Sequence, residues 1–275
     1  MLLEIRIIIY LPPDKMYINK MKNKNAICLL TRFYNQYWVD FFNTFTDHDV
    51  YIVLDDNSKI YDGIYGNVRI VQIDDAVCRS TNFYNSSIWS NLKDIIAWDR
   101  ALYYFVKINT HYDHVWFMED DVFIYNEAVL TNIDLKYPDT DLLCQFLDIN
   151  HKGDVRDGWN HWIHVIHRIG TPWTHSLVCA SRLSRPLLDL LGLYVRDRHL
   201  MFIEALFTTL AYQWGHSIAH PEEMQGTIHH TQEYDKNLVE TTHIYHPYKK
   251  IEDHIMLRNR LRNNELSYIK DELKI

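Results

Sequence analysis

Positive charge is in short supply. Against 36 Asp and Glu the chain has 28 Lys and Arg, a formal net charge of -8 with His neutral. That balance argues against a protein built as a whole to bind nucleic acid. It still leaves room for a local basic pocket around a diphosphate. Cysteine is scarce too. Cys28, Cys78, Cys144 and Cys179 stand far apart, and no C-x-x-C pair occurs. A disulfide framework and a Cys-rich zinc site are thereby disfavoured, and buried thiols in a reducing compartment are expected. No apolar run is long enough to span a bilayer. The stretch Leu2 to Leu11 is apolar but short, Glu4 and Arg6 interrupt it, and it lacks a small-residue cleavage pattern. It reads as a strand or a disordered lead-in, not a signal peptide. Lys270-Asp271-Glu272-Leu273 spells a retention signal, but Lys274 and Ile275 follow it, whereas such an address is read at the extreme C-terminus. The expectation is a cytoplasmic protein with no membrane span. There is no internal repeat.

What is present is an ordinary globular composition. Apolar residues make up 47% and charged residues 23% of 275 positions, enough to bury a sizeable core. Residues 12–25 read as a linker. Ala26 to Leu30, Val50 to Leu54, Val68 to Ile73 and His114 to Met118 are short apolar runs bounded by polar residues, which predicts buried strands. Tyr37 to Phe45 and Leu92 to Ile108 carry helical spacing, and residues 74–91 read as a Ser/Asn-rich loop. The order strand–helix–strand–strand–helix–strand predicts an α/β sheet with helices on its faces. Ligands of such sheets sit beyond the carboxyl ends of the strands. Two acidic groups fall there, Asp55-Asp56 and Glu119-Asp120-Asp121. Further on, strands are expected at Leu142–Asp148 and Leu177–Ala180, and helices at Ser184–Leu193 and Met201–Trp214. Residues 150–175 read as an irregular excursion, and Ile251 to Lys274 as a terminal amphipathic helix.

Carboxylate oxygens are the natural protein ligands of hard divalent cations, and such a cation neutralises a diphosphate. Taken alone, an acidic triplet is more often a solvated turn than a metal site. Three carboxylates emerging from the buried run Val115-Trp116-Phe117-Met118 are costly unless compensated. Spacing by two lets Glu119 and Asp121 aim one way, with Asp120 pointing elsewhere, into a structural hydrogen bond.

The segment Asp113 to Ile124 resembles the acidic signature of GT-A glycosyltransferases, with Glu119 standing where the usual Asp-x-Asp pattern has its first Asp. The resemblance implies a mixed, Rossmann-like nucleotide-diphospho-sugar transferase sheet flanked by helices. It implies that Asp121 binds Mn2+ or Mg2+ directly, and that Glu119 touches the ribose or reaches the metal. Val50 to Ser58 resembles the second strand of that fold, which assigns Asp56 to the uracil ring of a UDP-sugar donor. Uracil N3–H is a donor and a carboxylate a strong acceptor. Thr31, Arg32 and Asp120 fall among the nucleotide-binding positions. Lys93 and Arg100, seven residues apart on one predicted helix, stand where the family places basic groups near the diphosphate; a solvated helix face is the competing reading. His246-Pro247-Tyr248-Lys249 resembles the family's late His-Pro-x-Lys segment. That makes His246 the second kind of metal ligand and Lys249 a phosphate partner. His229, His230 and His243 are its rivals.

An inverting transfer needs a base for the acceptor hydroxyl. Glu204, in the apolar helix start Phe202 to Phe207, is the candidate, since burial would raise its pKa; a helix-dipole charge is the bland alternative. Asp148 and Asp157 are runners-up. His161, His164 and His167 are spaced by three but lack the His-Glu-x-x-His zinc pattern, so their Trp-rich segment reads as acceptor or sugar recognition. The expectation is one GT-A-like domain over 1–275: a nucleotide-sugar half at 25–125, an acceptor half at 126–250 and a terminal helix at 251–275. Its activity would be hexosyl or N-acetylhexosaminyl transfer to a glycan or protein hydroxyl. A nucleotidyltransferase is disfavoured because Thr31 to Asn35, after the first strand, has no glycine. A non-catalytic carbohydrate- or nucleotide-sugar-binding protein is the remaining alternative.

Overall fold

The computed structural model describes residues 24–61, 63–87, 95–229 and 238–272. The lead-in Leu2–Leu11, most of the linker, Lys93 and His230 lie outside these residues. The first apolar run forms β1 (Asn25–Thr31), followed by α1 (Gln36–Phe42), which Asn35 caps by accepting from Tyr37 N. Next come β2 (Asp49–Leu54), β3 (Ile64–Tyr65) and β4 (Val68–Val71). Within the stretch read as a loop lies a short helix, α2 (Asp75–Ser80). Its start is set by Asp74, whose side chain accepts from Ala76 N at 2.7 Å, a cap that the Ser/Asn-rich composition hides. The next helix, α3, begins only at Ala97 and not at the expected Leu92, because Ile96 before it is extended; it runs to Tyr103 (Ala97–Tyr103) and continues as a wide π turn over Tyr104–Ile108. It leads to β5 (His114–Glu119) and α4 (Ala128–Lys136).

The run expected as one strand at Leu142–Asp148 is divided. Only β6 (Leu142–Leu143) joins the main sheet, while β7 (Asp148–Asn150) pairs with β8 (Trp173–His175) in a separate hairpin. The strand expected at Leu177–Ala180 begins where that range ends, as β9 (Ala180–Ser184). Then follow α5 (Arg185–Tyr194), α6 (Ile203–Gln213), β10 (Ile218–Ala219) and α7 (Ile251–Glu272).

The main sheet runs β10-β6-β9-β5-β1-β2-β4-β3. β1 pairs parallel with β2 and β5, and β2 parallel with β4, whereas β9 runs antiparallel to β5. This is the expected mixed sheet with helices on both faces. The alternation of side chains explains why its central strands read as unbroken apolar runs. In β1, Ala26, Cys28 and Leu30 enter the core under α3, α5 and α6. Ile27 and Leu29 enter the opposite core, with Trp38 and Phe42 of α1 and Leu130 of α4. Because β1, β2 and β5 are parallel, their carboxyl ends share one edge. Thr31, Asp55 and Glu119 emerge there together.

Candidate active site

Beyond β5 the chain turns sharply, with Val122 N donating to Glu119 O at 3.1 Å. Glu119 N is held by Cys179 O at 2.8 Å and Asp120 N by Leu30 O at 3.0 Å, so the triplet is anchored on both sides. A C-terminal segment returns alongside this turn. Tyr245 N donates to Phe123 O, Phe123 N to Tyr245 O, and Tyr248 N to Asp121 O at 2.7 Å. These bonds carry His246 to the strand end, although it lies far from the triplet in sequence.

Ligand atoms of Glu119, Asp121 and His246 all lie within 4.8 Å of one another. His246 Nε2 is 3.2 Å from Asp121 Oδ1 and 3.9 Å from Glu119 Oε2. The contact to Asp121 is close but poorly directed: Oδ1 is buried without a hydrogen-bond partner. On its other side His246 Nδ1 donates to His229 O at 2.6 Å. That bond fixes the ring and presents Nε2 to the two carboxylates. Burial opposes a proton on His246, but the Asp121 carboxylate and Cys179 outweigh it and push the pKa up to about 11. Burial and then the neighbouring Asp121 raise the pKa of Glu119. Two carboxylates, one of them with an orphaned buried oxygen, and an imidazole are a donor set that fits a divalent cation. It is the one such cluster among the described residues.

The cluster opens on a cleft of about 590 Å³. Trp98, Trp159, His161, His175 and Phe202 line it, with Glu204 and Lys249. Glu204 stands in the first turn of α6, whose position is tied to the β7–β8 hairpin by Ser176 N donating to Glu204 O at 3.1 Å. Burial, then the charge on Glu119, raises the Glu204 pKa to about 7, against a smaller opposing effect of His246.

Other expected residues are placed differently. Asp120 Oδ2 accepts from Thr31 Oγ1 at 2.5 Å, so these two brace the ends of β5 and β1 against each other. Arg32 is exposed, its guanidinium 5.1 Å from the ring of Phe33. Asp56 accepts from Ser58 N and Ser58 Oγ in a local turn at the end of β2. Arg100, expected near the diphosphate, is 1% exposed and turned into the protein. It pairs with Asp55 and Asp75 at 2.5 Å each and donates to Ile73 O at 2.9 Å. All three nitrogens thus knit β2, β4 and α2 together beneath the edge, leaving none for a phosphate. Asp148 pairs with His175 at 3.2 Å, and Asp157 is exposed outside the cleft. His243 pairs with Glu240 at 3.3 Å, and His229 serves the cluster through its carbonyl. His164 and His167 are exposed; the His164 ring lies 6.0 Å from that of His161, which alone of the three lines the cleft.

Two participants carry no sequence signal. Trp98 Nε1 donates to Glu119 Oε1 at 2.7 Å. Cys179 is buried against the cluster, its thiol pushed up to about 11 mainly by burial.

No known protein family and no curated protein matches the chain by sequence. Among solved structures it is similar to the galactosyltransferase LgtC in complex with donor and acceptor sugar analogs. The identity is 8%, over 86% of this chain and 96% of that one, with a TM-score of 0.46. It is also similar to the bifunctional glycosyltransferase WbbM, at 11% identity over 88% of this chain and 45% of that one, TM-score 0.44. A third likeness is to 4-diphosphocytidyl-2C-methyl-D-erythritol synthase from Anaerococcus prevotii, at 11% identity over 88% and 96%, TM-score 0.40. At this distance the functional reading rests on the chain's own residues.

Proposed function

We propose that this chain is a metal-dependent glycosyltransferase of the GT-A type. It would move a sugar from a nucleoside diphosphate, UDP first among them, to a hydroxyl on a glycan or protein. The observation that carries this reading is the Glu119–Asp121–His246 cluster, with its orphaned Asp121 oxygen, beside Glu204 in one cleft at the carboxyl edge of parallel strands. Glu119, Asp121 and His246 would hold the cation. The imidazole favours Mn2+ over the harder Mg2+. When bound, the cation supplies countercharge to the diphosphate as it departs. Lys249 lies on the same rim and adds a point charge for a phosphate. With a pKa near 7, Glu204 is about half ionised at neutral pH and can take the proton of an acceptor hydroxyl. Asp56, just beyond the end of β2, remains the candidate for binding the uracil ring.

Calorimetric titration with UDP, with and without Mn2+, tests the reading. We expect binding with Mn2+ that is weaker by about tenfold or more without it, which is 1.4 kcal/mol or more. Asp121→Ala should remove the Mn2+-dependent part. Failure of every nucleoside diphosphate to bind in the presence of Mn2+ or Mg2+ would refute the proposal.

A further inference from the structure

The sequence offers no reason to connect Trp98 with the metal cluster, yet its indole N–H donates to Glu119 Oε1 at 2.7 Å. The ring has little freedom to leave. Trp98 is 4% exposed, stacked on Phe117 with centroids 5.7 Å apart and packed on Phe207 at 5.8 Å. Phe117 is itself in β5, two residues before Glu119, so donor and acceptor are held by one rigid unit. One oxygen of the carboxylate is thereby held toward the indole. The other, Oε2, is the one that faces His246 Nε2, at 3.9 Å.

We infer that Trp98 is a positioning residue that makes Glu119 a one-oxygen ligand and so sets which cation the cluster prefers. The inference rests on the metal reading above. Small cations take six ligands in near-octahedral geometry and accept single carboxylate oxygens. Calcium takes six to eight oxygens and often both oxygens of one carboxylate. Holding Oε1 toward the indole opposes the rotation that would bring it to a cation as a second ligand atom. The tether therefore selects against Ca2+ and for Mn2+, in the same direction as the imidazole of His246.

The test is Trp98→Phe in the full chain, which keeps most of the ring packing and deletes the donor. Mn2+ affinity is read by electron paramagnetic resonance and Ca2+ affinity by competition. Losing a group that orients a metal ligand costs about 10- to 100-fold in affinity. We expect that loss for Mn2+ and a smaller loss, or a gain, for Ca2+, so the Mn2+/Ca2+ ratio falls by about tenfold. A purely structural role would weaken both ions alike, and an unchanged ratio overturns the inference while leaving the metal site intact. Absence of Mn2+ binding in the wild type would instead remove the metal reading and this inference with it. Should the variant not fold, the wild type decides. With Mg2+ added, the Trp98 indole N–H should stay hydrogen-bonded and exchange slowly with water in nuclear magnetic resonance spectra. Rapid exchange on adding Mg2+ would overturn the inference.

Discussion

His48 and His246 both sit among carboxylates at the margins of the main sheet, and their partners differ in kind. His48 lies at the amino edge, just before β2. Its Nδ1 donates to Glu127 and its Nε2 to Asp134, both at 3.0 Å. Asp134 also accepts from Asn25, Trp116 and Arg182, the last at 2.6 Å, and Glu127 accepts from the backbone of Thr46, Asp47 and His48. Every charge there is matched. Although burial opposes it, hydrogen bonding to His48 leaves both carboxyls below the usual range. At the carboxyl edge His246 has a neutral carbonyl on one side and two poorly directed carboxylates on the other. Glu119 is raised, and Asp121 Oδ1 is buried without a hydrogen bond. Similar residue types thus make a closed structural knot at one edge and an unbalanced cluster at the other. Charge imbalance, not the presence of acids beside a histidine, marks the site.

The largest effects should separate the two edges completely. Glu204→Gln should retain Mn2+-dependent UDP binding but lose about 10²- to 10⁴-fold in sugar transfer. In the wild type, transfer should rise with pH through about 7, as the base ionises. Normal turnover in the variant removes Glu204 as the base. Asp134→Ala should do the reverse. It strips His48 and Arg182 of a buried counterion, at a cost of about 3–5 kcal/mol read by urea unfolding. The Mn2+ affinity of its folded fraction should be unchanged. A loss of Mn2+ affinity there would show that the edges are coupled, and the contrast drawn between them would fail.

A smaller effect distinguishes them by pH. Burial lowers the His48 pKa, but Asp134 and Glu127 outweigh it and carry the value from 6.5 to about 9. A raised histidine stabilises fully below about 6.5, and that share is lost as pH rises through about 9. Glu127 and Asp134, held low, act with the opposite sign and lose their share only as pH falls through their folded values. The stability difference between wild type and His48→Gln should therefore shrink by about 3 kcal/mol between pH 6.5 and 9. Taking the difference cancels His246, whose raised pKa has the same sign. A flat difference would mean that His48 is not charged in the folded protein.

The same contrast explains what could be read from the chain. β1, β2 and β5 were legible because strands buried on both faces must be apolar throughout, and their acidic ends follow from where that burial stops. His246 was singled out by the resemblance of His246-Pro247-Tyr248-Lys249 to the family's His-Pro-x-Lys segment, and it does lie beside Glu119 and Asp121. Long-range pairing was not. Arg100 looks like a free basic residue on a helix, because its partners Asp55 and Asp75 are 45 and 25 residues away. Asp56 and Asp55 are adjacent acids, and nothing local says that Asp55 takes the arginine while Asp56 stays at the surface turn. The β7–β8 hairpin escaped because three-residue strands are too short to show a period. With it went the hairpin's tie to Glu204. Trp98 was read only as part of an apolar helix, since an indole N–H gives no sequence sign of which carboxylate it will meet.

One substitution, made at both edges, sharpens the comparison with the smallest effects. Glu127→Gln replaces an acceptor of three backbone N–H groups by an amide whose NH2 must face a donor. It should destabilise by about 1.5–3 kcal/mol, the usual worth of hydrogen bonds to a charged group. Glu119→Gln can keep its bond to Trp98 through the amide oxygen and gives up a charge that burial and Asp121 oppose. A raised carboxyl pKa means that folding disfavours the ionised form at neutral pH, so losing the charge should stabilise the protein when no metal is added. The side chain is 37% exposed and water screens much of its field, so the gain should stay under about 1 kcal/mol. It should be accompanied by weaker Mn2+ binding. Identical chemistry would then lower stability at the structural edge and raise it at the site, as expected where a protein keeps a destabilising group for function. If Glu119→Gln lowers stability as Glu127→Gln does, the carboxyl edge is a structural knot as well, and the metal reading loses its physical ground.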